Sequence, residues 1–443
     1  MEGIRLLKIY EATDPAVEAL LAAPPPDTSR LAVVEEIIAA VRARGDDALC
    51  AFTARFDRVE LDPASLRVAP GEIQAAYEEI PPELLEALRL AKERILAFHA
   101  RQVPQSWFEA GGGVFLGQVV RPLARVGIYV PGGTAAYPSS VLMNALPARA
   151  AGVPEIVMCT PPRRDGTVAA PILVAAAEAG VTEIYRVGGA QAVAAMAYGT
   201  ESIRPVDKIV GPGNIYVTLA KQRVYGQVAV DMPAGPSEVA VVADATADPA
   251  WVAADLLAQA EHDTLARCLV FTPSRELAQA VADEVRKQAA VLPRREYIQE
   301  ALENFGGVVV TRDLAEAVRL ANRFAPEHLE LMVDDPLAWL GSIENAGAVF
   351  LGPYAPVPVG DYAAGPNHVL PTGGAARFAS ALGTDAFIKR INVTGMNAAG
   401  LAALADAVVT LAEAEGLTAH AAAVRARAAR RERENGCGRK SKP

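Results

Sequence analysis

Four runs, VGIYVPGG at residues 126–133, EIVMCTPP at 155–162, EIYRVGGAQA at 183–192 and DKIVGPGN at 207–214, decide the fold class. Each is an apolar stretch of strand length closed by glycine or proline, with alanine-rich segments between them that suit crossover helices. This pattern predicts an α/β unit. A second series repeats it: SEVAVVADA (237–245), CLVFTPS (268–274), GGVVVT (306–311), LELMV (329–333) and GAVFLG (347–352), with helical patterns over 251–260 and 313–323. Two α/β layers are therefore expected.

Outward from these runs the texture is helical. Apolar residues recur at helical spacing over 30–56 and 82–99, with Leu84, Leu85, Leu88, Ile95 and Leu96 on one stripe. Residues 4–23 mix an apolar run with a helical pattern and stop at Pro24, Pro25 and Pro26, which reads as an arm. Beyond about Leu382 the chain reads as helical and alanine-rich, broken at Gly395, Gly400 and Gly416, and it closes on a charged tail expected to be disordered. The expected organisation is an N-terminal helical arm (1–24), a main α/β domain (25–129 and 238–381), an inserted α/β domain (130–237), a C-terminal helical arm (382–434) and the tail (435–443). No GxGxxG follows a strand, so the sheets are Rossmann-like without the usual dinucleotide fingerprint.

A chain of 443 residues with 51% hydrophobic and 21% charged residues can build a large core. Its formal charge of −10 repels nucleic acid and anionic membranes. Cys50, Cys159, Cys268 and Cys437 are far apart and read as reduced thiols. The first residues lack a secretory pattern and no run approaches a membrane span, so a cytoplasmic location is expected.

The chemistry centres on histidine, the side chain that titrates nearest neutrality and the commonest metal ligand. His99, in LAFHARQ, has no glycine or carboxylate beside it and reads as a partly buried helix residue. In DLLAQAEHD, Gln259 and His262 are three apart near a helix end and can face one ion, although such pairs are also common on solvated helices. In FAPEHLELMV, Pro326 ends a helix and leaves Glu327 and His328 in a turn before a strand. That pair can handle protons or can merely be a solvated turn. Asp361 and His368 flank a glycine and proline loop, and Glu415 and His420 surround a helix stop at Gly416. Gln259, His262, Asp361 and His420 together offer an oxygen and nitrogen set compatible with zinc, but spacing alone does not show that they converge. The loops at Tyr129, Gln191 and Asn214 stand at strand ends, where α/β sheets bind ligands; tight turns need such glycines too.

The segments VGIYVPGG, RVGGAQAVAAMAYGTE, VDKIVGPGN, AGPSEV, DLLAQAEHD, FAPEHLEL, GDYAAGPNHVLPT and EGLTAHAAAV occur in an order that resembles the histidinol dehydrogenase family over nearly the full length. The resemblance implies zinc held by Gln259, His262, Asp361 and His420, and catalysis by Glu327 and His328. It implies a substrate site of Ser237, Gln259, His262, His328, Asp361, His368, Glu415 and His420, and NAD contacts from Tyr129, Gln191 and Asn214. It also implies a four-electron oxidation of L-histidinol to L-histidine through the aldehyde with two NAD, in an intertwined homodimer that supplies Glu415 and His420 across subunits. Rival readings are a same-fold dehydrogenase for another small alcohol, a zinc hydrolase without NAD, and a binding protein with a structural zinc.

Overall fold

The computed structural model describes residues 7–23, 28–132, 136–232 and 235–437. The proline stop at 24–26, Gly133, Ala234 of the AGPSEV segment and residues 438–443 of the expected tail lie outside them. The chain divides into two compact units, one of Met1–Val103 with Leu123–Phe387 and one of Pro104–Pro122 with Ile388–Pro443.

The first unit holds two parallel sheets. One runs, in spatial order, Ile9–Glu11, Gly306–Val310, Arg267–Thr272, Glu238–Ala243, His328–Met332 and Ala348–Leu351. Its central strand shows why these runs are so apolar: Val239, Val241 and Ala243 enter one helix-covered core while Ala240 and Val242 enter the other. Successive side chains point to opposite faces, and helices cover both. Each fully buried valine contributes on the order of 2 kcal/mol relative to exposure. The helices Pro249–Ala260 and Leu314–Phe324 begin where Asp248 and Asp313 accept backbone N–H groups of the first turn.

The other sheet runs Glu183–Arg186, Glu155–Thr160, Arg125–Tyr129, Lys208–Val210 and Ala229–Val230, again parallel. The four opening runs of the sequence reading are thus neighbours in one sheet. Gly211 serves this packing: a Cβ there would fall 2.1 Å from the Tyr129 carbonyl oxygen, and its φ is +118°.

Three features differ from the sequence reading. Residues 9–11 of the expected arm form an edge strand beside Gly306–Val310, followed by the helix Pro15–Leu21, because Leu7, Val17 and Leu21 are buried there. The strand Arg125–Tyr129 sits inside the second sheet rather than ahead of it. The chain beyond Leu382 is not all helix, since Ile388–Met396 is a strand whose β-branched residues pair antiparallel with Val114–Pro122, itself paired with Trp107–Gly111.

That three-stranded sheet and the helices Ala398–Ala414 and Thr418–Cys437 make up the second unit. Gly395, taken as a break, lies within the strand opposite Phe115. Gly400 lies inside a helix, where a Cβ would meet the Gly113 carbonyl oxygen at 2.4 Å. Gly416, with φ +73°, does end its helix.

Candidate functional site

A cavity of about 260 Å³ in the first unit gathers residues that the sequence leaves far apart: Ser237, Gln259, His262, Glu327, His328, Asp361 and His368. It lies at the amino ends of the first sheet's strands. Glu327 immediately precedes the strand His328–Met332, and Ser237 precedes Glu238–Ala243. Ala325, with φ +51°, turns the chain out of the preceding helix, so His328 opens the strand rather than lying in a turn before it.

Glu238, unnoticed in the sequence, organises the pair. Its backbone N–H donates to Glu327 Oε2 at 3.0 Å, and its carbonyl accepts from His328 Nδ1 at 3.0 Å. Its own carboxylate, fully buried, accepts from Arg267 Nη1 at 2.9 Å. Arg267 also donates to the carbonyls of Leu20 and Ala22 and stacks over Phe324, with 4.5 Å from guanidinium carbon to ring centre. With Nδ1 committed as donor, His328 presents Nε2 as the lone-pair nitrogen of its neutral form. That buried atom has no hydrogen-bond partner and stands 3.7 Å from Asp361 Oδ1.

Burial pushes the Glu327 carboxyl up to about 7, with the neighbouring imidazole opposing. For His328, burial works against the charged form, but the Glu327 and Asp361 carboxylates outweigh it and hold the imidazole up at about 9. Burial likewise opposes the Asp361 carboxylate, yet His328, His368 and His262 keep it below the usual carboxylate range. His368 is held below the ordinary histidine value by burial, and its Nδ1 donates to the Asp361 carbonyl at 2.9 Å. A charge-handling pair therefore faces a carboxylate surrounded by imidazoles.

Gln259 lies in the last turn of its helix and His262 just beyond the end, its N–H bonded to the Gln259 carbonyl at 3.2 Å. Together with Asp361 they offer an amide oxygen, an imidazole and a carboxylate around one cavity, a donor chemistry that fits zinc but is one ligand short of tetrahedral closure. Among the described residues, no three His, Cys, Asp or Glu side chains are grouped to hold a metal ion. Glu415 and His420 belong to the second unit, at the joint between its two helices. Thiol chemistry is not prepared in the interior, because burial raises both Cys159, to about 12, and Cys268.

A second cavity, about 410 Å³, opens at the carboxyl ends of the other sheet and is lined by Tyr129, Gln191 and Asn214. Tyr129 Oη accepts the Gly189 N–H at 3.1 Å. Asn214 caps the following helix with its side-chain oxygen, which leaves its amide NH₂ for a ligand. Asp57, missed in the sequence, also lines this cavity, its carboxyl pushed up to about 6 by burial. Pro131 lines both cavities, so an elongated ligand in the second can reach the first. His99, expected to be partly buried, is fully buried, with its Nδ1 on the Ile95 carbonyl at 2.8 Å.

A family model described as histidinol dehydrogenase matches residues 26–428. The chain is 59% identical over 395 residues to the histidinol dehydrogenase of Moorella thermoacetica, covering 89% of this chain and 93% of that protein. It is 55% identical to that of Geobacillus kaustophilus, over 89% of this chain and 93% of that one. The crystal structure of histidinol dehydrogenase from Elizabethkingia anophelis superposes with a TM-score of 0.91 at 38% identity, covering 96% of this chain and 99% of that one.

Proposed function

This chain belongs to the histidinol dehydrogenase family, and from that premise we propose that it oxidises L-histidinol to L-histidine through L-histidinaldehyde, with zinc and two NAD. The observation that carries this reading is the Glu327–His328 pair, fixed on the Glu238 backbone and facing the same cavity as Gln259, His262 and Asp361.

Each half of the reaction removes one proton and one hydride. In its neutral form, which predominates above about pH 9, His328 takes the hydroxyl proton of the alcohol through Nε2 while a hydride leaves its carbon, giving the aldehyde. Glu327, poised near neutrality, takes a proton from the water that adds to that aldehyde while His328 gives its proton to the carbonyl oxygen, which forms the hydrate and returns the imidazole to its neutral form. His328 then takes the hydroxyl proton of the hydrate as the second hydride departs. Gln259, His262 and Asp361, with His420 of a second copy, would hold zinc, which would supply a template for the imidazole and amino nitrogens of the substrate. Ser237 and His368 complete the cavity wall with Glu415 of the second copy. Tyr129, Gln191 and Asn214 would hold NAD, which would supply the hydride acceptor for each step.

NADH formation from L-histidinol is expected to stop on chelation and return with zinc. A chelator-insensitive activity, or turnover only of another alcohol, would contradict the assignment, and hydrolysis without NAD would favour a zinc hydrolase.

The sharing of His420 and Glu415 is supported by the apolar side chains that the second unit exposes, among them Trp107, Phe108, Phe115 and Leu411. A dimer would cover them. Coexpressed His328→Asn and His420→Ala chains should then complement: a mixed dimer carries one intact site, so about a quarter of wild-type activity is expected under random pairing. Sites built within one chain would leave the mixture inactive.

A further inference from the structure

The loop that touches both cavities is held by a buried ion pair that the chemistry above does not use. Residues 211–214, GPGN, connect the strand Lys208–Val210 to the helix Ile215–Val224. Pro212 lines the cavity of Glu327 and His328, and Asn214 that of Tyr129 and Gln191. Lys221, on that helix, reaches back and donates from Nζ to the Gly211 carbonyl at 2.9 Å. Asp231, just after the strand Ala229–Val230, accepts the Gly211 N–H on Oδ2 at 2.7 Å. Both side chains are buried, and they form an ion pair with each other, Nζ to Oδ1.

One charged pair thus takes both the N–H and the C=O of Gly211. The reason for such a hold lies in the glycine. At φ +118° Gly211 occupies a conformation that other residues rarely adopt, and glycine loses more conformational freedom than any other residue when it is fixed. Without partners the turn could carry Pro212 and Asn214 elsewhere. Burying a lysine and an aspartate is a poor route to stability, since two apolar side chains of similar volume are often as stable or more so. What an apolar pair cannot do is bond the backbone of Gly211. Asp231 adds a second link, because it leads in sequence to Gly235 and Ser237, which also line the first cavity.

We propose that Lys221 and Asp231 are positioning residues that hold Gly211 so that the amide of Asn214 meets the dinucleotide while Pro212 bounds the cavity of the reacting carbon. This rests on the NAD reading given above and deepens it. The Asn214 side-chain oxygen is already spent on the Tyr216 and Val217 N–H groups, so its NH₂ reaches a ligand only if the loop keeps its course. A misplacement of about 1 Å costs up to about 100-fold in rate. Gln259, His262 and Asp361 stand on or beside other helices, Pro249–Ala260 and Val357–Tyr362, so the effect falls on the dinucleotide and not on zinc.

The test is a titration of the full-length protein with NADH, read by the fluorescence of its nicotinamide, beside a zinc titration, a melting curve and steady-state kinetics. Lys221→Met removes the bond to the Gly211 carbonyl and strands Asp231. It is expected to weaken NADH about tenfold and raise KM for NAD alike, with zinc affinity within about threefold of wild type. Lys221→Met combined with Asp231→Leu removes both bonds on Gly211 without stranding a charge. This double variant is expected to melt above the single one yet to bind NADH at least about tenfold more weakly than wild type. It decides the matter if Lys221→Met does not fold. Wild-type NADH affinity in the double variant, whatever its melting temperature, would overturn the positioning role alone, and so would a parallel loss of NADH and zinc, which marks general damage. A wild-type protein that binds no NADH would overturn the NAD reading and this inference together.

Discussion

The His328→Asn variant is expected to lose about 10³-fold in kcat with L-histidinol, with NAD binding unchanged. The asparagine amide can still donate to the Glu238 carbonyl from near the place of Nδ1, so the local backbone should keep its course. What it cannot do is accept a proton from the cavity side, where the unpartnered Nε2 of His328 stands. Tyr129, Gln191 and Asn214 line the other cavity and should be undisturbed. A loss of NAD affinity, or a kcat within a few-fold of wild type, would show that His328 acts by shape rather than as a base.

The second large effect is on stability. Arg267→Met strands the Glu238 carboxylate, which is fully buried and holds Arg267 Nη1 at 2.9 Å. An uncompensated buried charge costs about 3–5 kcal/mol, whereas replacing both partners with apolar residues is often close to neutral. Arg267→Met should therefore lower the denaturation midpoint sharply, and the double variant Arg267→Met with Glu238→Leu should recover much of the loss. Because the Glu238 backbone N–H and carbonyl, which the substitution leaves in place, bond Glu327 and His328, the double variant should also retain substantial kcat. A double variant as unstable as the single one would mean that the carboxylate and guanidinium each have other obligatory partners, such as the carbonyls of Leu20 and Ala22.

Much of this site was legible in the sequence, for different reasons at different residues. The strand runs were readable because strands covered by helices on both faces must be apolar at every position, as at Glu238–Ala243 and Arg267–Thr272. Glu327, His328, Asp361 and His262 drew notice as titratable residues at element ends, but their convergence on one cavity depends on the parallel order of strands far apart in sequence. The resemblance to a family supplied the grouping that spacing could not. Glu238, Asp255 and Glu330 were passed over although each interrupts a buried apolar run, SEVAVV, DLLAQA or LELMV. A charge in such a run must be paired, and that signal pointed to the layer beneath the site. The strand Ile388–Met396 was missed because its partner Val114–Pro122 is remote in sequence and its residues are largely exposed, leaving a weak alternation between alanine-rich segments.

In the proposed reaction one cavity carries out two successive oxidations, with Glu327 and His328 managing the protons of both. The direct measurement is the number of NADH formed per L-histidinol consumed by the purified protein with excess NAD, with the amino-acid product identified. Two NADH and L-histidine are predicted; one NADH with released aldehyde, or none with this substrate, would contradict the account.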